Sequence, residues 1–231
     1  MKYLLLAVVL CLGLSVPIAT RADRIWEESL YTVYDAASFR NYTYAREAID
    51  FDNIHYALLG AAIFYATNEM RVKHGRNPFQ HAQMLEDAAF MHAQDMVRLD
   101  FFSHNNPREP EKRTFTKRLA MFGIGEGYRA ENISEMFGIR YEQGSPLIPP
   151  GSAGGAFRDF DTGNPIPHHS YLSFAETLLS GWMRSSGHRA NILDSRMIYL
   201  GCGAYHFRNE SFYGMNQFKA VQNFASVVPN G

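Results

Sequence analysis

The chain has 231 residues, with 22 Lys plus Arg against 23 Asp plus Glu and a formal net charge of -1. That balance gives no bulk basic charge for nucleic-acid binding, and a composition that is 46% hydrophobic and 19% charged excludes a disordered polyelectrolyte. One domain with elaborations and a sizeable core is the expectation at this length.

Residues 1–22 read as an export signal: Lys2, an apolar run from Tyr3 to Ile18, then Thr20-Arg21-Ala22 as a small-x-small cleavage site. The run is short for a bilayer span and Pro17 interrupts its end, so no stable transmembrane anchor is expected. Val9 and Leu10 before Cys11 argue against lipid attachment there. Cleavage leaves Cys202 as the single cysteine, so no internal disulfide can form and core burial must hold the chain together. These features point to a bacterial protein that is secreted or periplasmic.

Residues 23–52 are aromatic and polar without sustained periodicity, and read as an extension wrapped over a domain spanning 53–228. Asn53 is the candidate cap of a helix that buries Leu58, Ala62 and Tyr65 on one stripe, with Leu59, Ile63, Ala66 and Met70 beside it; Gly75 ends it. Arg71, Lys73 and His74 suit the negative end of that helix dipole. A second helix, about His81 to Leu99, buries Leu85, Ala88, Ala89, His92 and Met96, and His92 reads as a satisfied core histidine. A shorter helix runs from about Phe115 to Met121, stopped by Gly123, and a strand from about Tyr128 to Ser134.

Residues 144–167 hold five glycines and five prolines, which suits an insertion rather than a regular element; Phe157 and Phe160 make it a partly packed cover. His168 and His169 follow, either solvated or titrating at the mouth of a site. A helix from about Tyr171 to Arg184 presents Phe174, Leu178 and Trp182 along one face. Met197 to Phe207 alternates as a strand, with Cys202 as a small buried hydrophobe, and Phe218 to Ala225 forms a second strand across a hairpin. Helices before and between strands imply an α+β domain.

Four stretches in order carry a resemblance: Asn68-Glu69-Met70-Arg71 with Gly75, the helix from Leu85 through Met96, Phe102-Ser103-His104-Asn105, and Ala130-Glu131-Asn132-Ile133. A fifth, Trp182 through Leu193 with Ser186-Gly187-His188-Arg189-Ala190-Asn191, is the most specific. Together they resemble the bacterial branch of the CAP superfamily (cysteine-rich secretory, antigen 5 and pathogenesis-related proteins, or SCP domains) over about Ile54 to Ala225. The resemblance implies an α-β-α sandwich with a central, largely antiparallel sheet and a cleft lined by His104, Glu131 and His188. Ala130 stands where the family usually has glycine. The second acid of eukaryotic members aligns with Ser185, leaving Glu176 or Glu135 to approach from another backbone position.

Two imidazoles and a carboxylate suit a divalent transition metal, zinc foremost, with one position left open. The alternative is that Glu131 accepts hydrogen bonds from the histidines and fixes the cleft without metal. Asn132 and Asn191 read as orienting residues, Arg189 as a structural partner, and Ser186 as the cap of the helix entered at Gly187-His188. Two functions follow. One is a non-catalytic binding module whose partner is a divalent metal, a small ligand, a lipid or a cell-envelope component, with no nucleic acid. The other is a hydrolase, a peptidase or esterase, using metal-activated water or Ser185 activated by His188 with Glu131 behind it. The chain lacks a Gly-x-Ser-x-Gly elbow and a His-Glu-x-x-His helix.

Overall fold

In chain order, the computed structural model contains α1 (Ala36–Phe39), α2 (Tyr56–Lys73), β1 (Gln80–His81), α3 (Gln83–Arg98), α4 (Phe115–Met121), β2 (Arg129–Phe137) and the short pair β3 (Leu147–Ile148) and β4 (Arg158–Asp159). They are followed by α5 (Tyr171–Arg184), α6 (Ser186–Leu193), β5 (Tyr199–Asn209) and β6 (Met215–Ala225). The structure describes residues 26–151 and 154–229; the expected export segment, residues 1–22 with Cys11, lies outside them.

The main sheet has the order β1-β5-β6-β2, antiparallel except where β1 runs parallel to β5. Helices α2 and α5 pack over one face and α3 with α4 over the other, giving an α-β-α sandwich. The two helix layers press on β5 so closely that three contacts require glycine. A Cβ on Gly60 of α2 would lie 2.6 Å from the Cys202 carbonyl oxygen, one on Gly203 would lie 2.5 Å from the Phe90 nitrogen, and one on Gly201 would overlap the Glu86 backbone. With both faces covered, Leu200 through Ala204 are buried without interruption.

Helix α2 is buried from Leu58 through Asn68, apolar around most of its circumference because sheet, α5 and the N-terminal segment all pack on it. It ends in a Schellman motif: Gly75, at φ 66°, donates to the Val72 carbonyl and Arg76 donates to that of Arg71. Its start departs from the expected Asn53 cap. The helix begins at Tyr56 behind His55, whose backbone N–H is fixed by the Tyr171 hydroxyl at 3.0 Å, so a distant contact sets the boundary. Arg71 departs too. Instead of serving the helix end from solvent it is buried, donating to the carbonyls of Asn77, Ile192 and Asp194 and lying 3.7 Å over the Phe79 ring.

The N-terminal segment enters the main core. Short turns at Glu28–Thr32 and Thr43–Arg46 flank α1, which Asp35 and Ser38 cap reciprocally. Trp26, 4% exposed, meets Tyr31, Phe39, Tyr42 and Tyr65 edge-on, and Phe39, Ala45 and Ile49 are fully buried. Aromatic rings in short turns have no period for a sequence to display, which is why the segment reads as irregular.

The Gly/Pro-rich insertion does contain regular structure, the β3–β4 hairpin. Phe157 is buried with Ile139 and Met215 near Phe137, at the end of β2 away from Glu131, while Phe160 is 60% exposed. The following histidines are structural. His168 Nδ1 bonds the Ile49 carbonyl at 3.1 Å, and His169, expected in solvent or at a site mouth, is 4% exposed with Nδ1 3.0 Å from Ser173 Oγ. The segment bridges Ala48 to Ser170, so chain pairing draws His169 inward.

Burial, with the positive charge of Arg140, pushes His169 from the ordinary imidazole 6.5 to about 4. The unfolded chain takes up this proton first, so the stability it contributes is complete above about pH 6.5 and is lost as pH falls through about 4. Acidification across that window is expected to cost roughly 2–3 kcal/mol on this account. Urea midpoints from neutral to acidic pH check it: His169→Gln should flatten the decline, and an unchanged slope would refute the assignment.

Candidate cleft at the edge of the sheet

Strand β2 is the edge strand beside β6, and its alternation sends Glu131 and Asn132 to opposite faces. Glu131 is 8% exposed and both carboxylate oxygens are engaged. His104, on the loop after α3, donates Nδ1–H to Oε1 at 2.9 Å, and Arg118 of α4 donates Nη2–H to Oε2 at 2.7 Å. Arg118, 1% exposed, also donates to the carbonyls of His104 (3.0 Å) and Lys112 (3.1 Å), so one guanidinium fixes both the acid and the loop that carries the imidazole. Asn106, fully buried, pins that loop further by accepting from the backbones of Arg108 and Glu109.

Burial alone would raise Glu131, but the His104 hydrogen bond and the nearby Arg118 charge hold it below the ordinary carboxylate range. It is an anion at neutral pH. His92 lies behind, donating Nε2–H to the Ser103 carbonyl at 3.0 Å, with a buried Nδ1 that has no partner among the described residues; it is core, as expected, yet only half satisfied there. The His104 side chain is 52% exposed and keeps Nε2 free of the Glu131 bond.

On the other face, Cys202, Gln222 and Asn132 stand in one cross-strand row. Asn132 Nδ2 donates to Gln222 Oε1 and to the His188 carbonyl, and Asn132 Oδ1 accepts from Asn191 Nδ2 at 2.8 Å. Gln222 in turn donates to Thr67 Oγ1 of α2 at 2.7 Å. This chain of amides locks α6 to the sheet and thereby sets His188, its third residue. Burial, with a smaller contribution from neighbouring His104, lowers the His188 pKa, which favours its neutral ring.

The other expected residues fall outside this grouping. Ser185 joins α5 to α6, and among the described residues its hydroxyl has no bond to His188; Glu131 backs His104 instead. Ser186 is the first residue of α6 and so cannot cap it, the N-cap place falling to Ser185 without a side-chain bond. Glu176 is held by Arg40 at 2.8 Å, and Glu135 is exposed on the sheet near Lys219. Trp182 is core, donating Nε1–H to the Ile133 carbonyl. Arg118 carries no signal in the sequence, since an arginine in a seven-residue helix reads as a solvated side chain.

Residues 64–224 match the family model described as CAP, Cysteine-rich secretory protein family. The chain belongs to the CAP family. In three dimensions this CAP domain is similar to an extracellular protein containing a SCP domain from Bacillus anthracis str. Ames, at 22% identity and a TM-score of 0.50. The alignment covers 78% of this chain and 45% of that one, so the chain spans under half of that protein. Similarity also extends to an outer surface protein of Borrelia burgdorferi (12% identity, TM-score 0.46, 73% of this chain and 92% of that). A cysteine-rich secretory protein of Staphylococcus aureus gives 16% identity and a TM-score of 0.43 over 74% of this chain and 39% of that. No curated protein sequence matches the chain.

The donor set of this CAP domain decides what a metal could use. Among the described residues no three His, Cys, Asp or Glu side chains form a ligand group. Glu131 has spent both oxygens on Arg118 and His104, so it stands behind an imidazole rather than beside it. That leaves His104 Nε2 and the His188 ring as the remaining donors of the expected set, too few for a closed three-residue site.

Proposed function

We propose that this CAP domain is a secreted or periplasmic, non-catalytic binding module whose cleft presents His104 and His188 to a divalent ion, zinc foremost, and through it to a polar component of the cell envelope. The observation that carries this is the buried Arg118–Glu131–His104 assembly: it consumes the carboxylate, fixes the His104 ring and its tautomer, and leaves an outward imidazole nitrogen near a second, neutral imidazole. Bound there, the ion supplies positive charge and open coordination positions for an oxygen or nitrogen donor. Glu131 and Arg118 orient, and the Asn132–Asn191 pair keeps α6 in place. The export segment, and the extracellular location named for the Bacillus relative, support the compartment. Among the described residues no helix is long and apolar enough to cross a membrane.

Titration calorimetry with zinc should give about one ion per chain, with His104→Ala or His188→Ala weakening it at least about tenfold and Glu131→Gln by about tenfold as an orienting partner. Equal uptake by the double histidine variant would overturn the proposal.

A further inference from the structure

A cavity of about 820 Å³ lies between the N-terminal segment and the start of the domain, walled by Tyr31 and Tyr34 on one side and Phe64, Tyr65, Val72 and Phe79 on the other. It shares no residue with the cleft, and its first wall lies outside the span 64–224 that matches the family model. The volume suits a small organic molecule. Its walls are set before any ligand arrives. The Tyr31 ring stacks on His81 at 3.5 Å, and the Tyr31 hydroxyl and His81 Nε2 both bond Glu86, at 2.9 Å and 2.6 Å. Asn68 ties α2 to Phe79 with a bond to its N–H and another to its carbonyl.

Charge decides the class of occupant. Glu28, Asp35 and Glu69 face the cavity, and among its described lining residues the one Lys or Arg is Arg40. Arg40 is already engaged by Glu69 at 2.7 Å and Glu176 at 2.8 Å, and Glu69 also holds Lys73 at 2.9 Å, so among the described residues Glu28 and Asp35 are the lining carboxylates with no cation paired to them. A carboxylate or phosphate would find carboxylates at the rim and no unpaired guanidinium, whereas a cation would find carboxylates and aromatic rings, both of which attract it.

We propose that this cavity is a second binding site, which takes a small hydrophobic amine: an apolar body inserted among the tyrosine and phenylalanine rings, with its positive charge toward Glu28 and Asp35. The N-terminal segment is then part of a binding surface as well as of the core.

The test uses three probes of equal chain length, decylamine (a cation at neutral pH), decanol and decanoate, each below its micelle-forming concentration, titrated into the protein calorimetrically. The amine should bind most tightly and decanoate least. Glu28→Gln with Asp35→Asn, which retains an amide able to cap α1, should weaken the amine about tenfold and leave decanol unchanged. Val72→Trp, at a residue 57% exposed on the cavity wall, should block the amine while leaving the melting temperature near that of the parent. His188→Ala should bind the amine like the parent, which separates this site from the cleft. Decanoate binding as tightly as the amine, full binding by Val72→Trp, or no binding of the amine would overturn the proposal.

Discussion

Arg118→Met is expected to destabilise the domain by about 3–5 kcal/mol, the cost of leaving a buried carboxylate without its cation. The side chain is 1% exposed and serves three acceptors, Glu131 and the carbonyls of His104 and Lys112. Methionine fills much of the volume but supplies no donor, so Glu131 must protonate, draw in water or move. Removing both members of a buried pair is far less costly than removing one, and Arg118→Met with Glu131→Gln should recover at least half of the loss. Denaturant unfolding of the two single variants and the double variant gives the answer through their coupling. A single-variant cost below about 1 kcal/mol would mean that the pair is not what holds this corner together. The double variant should nonetheless bind zinc more weakly than the parent, because His104 has lost the partner that fixes its ring.

Gly203→Ala should cost about 3 kcal/mol or more, which is large for a single methyl group. The added carbon would lie 2.5 Å from the Phe90 nitrogen and 2.6 Å from its Cα, and both are helix backbone, which cannot rotate aside. Lifting α3 to make room would also part it from Gly201, two residues along the strand and packed on Glu86 in the same way. Gly181→Ala is the control. That glycine is inside α5 with nothing nearer to a new Cβ than an arginine tip at 4.0 Å, so the same substitution should stabilise by about 0.5–1 kcal/mol. A comparison of melting temperatures in which the two variants move together would dismiss the close-approach argument.

The sequence shows most clearly what is periodic and locally bounded. Helix α5 has the limits expected, Tyr171 to Arg184, because a proline-rich loop precedes it and its apolar stripe is regular. The β5–β6 hairpin is visible through its alternation, although Gly201 and Gly203 look like the open side of a half-buried strand. In fact both sides are covered, and glycine is present because a helix backbone needs the space. Boundaries fixed by distant contacts, such as the start of α2 beneath the Tyr171 hydroxyl, leave no local mark. At the candidate cleft, only motif order points to His104, Glu131 and His188, since their wide separation carries no ligand signature; the structure bonds the first two directly. Arg118 leaves no mark for a related reason: only the folded chain reveals that a short helix turns one charged residue inward toward an acid on a strand.

Cys202 gives the packing of β5 a kinetic consequence. Its thiol is 1% exposed between the sheet and α2, and burial together with the Glu86 charge pushes its pKa well up. A labelling reagent can therefore reach the sulfur only when α2 parts from β5, so the rate of alkylation counts openings of the interior. In an oxidising milieu the same geometry acts as a gate on quality: molecules that stay closed keep the Cys202 thiol out of reach, while those that open expose a sulfur able to couple two chains.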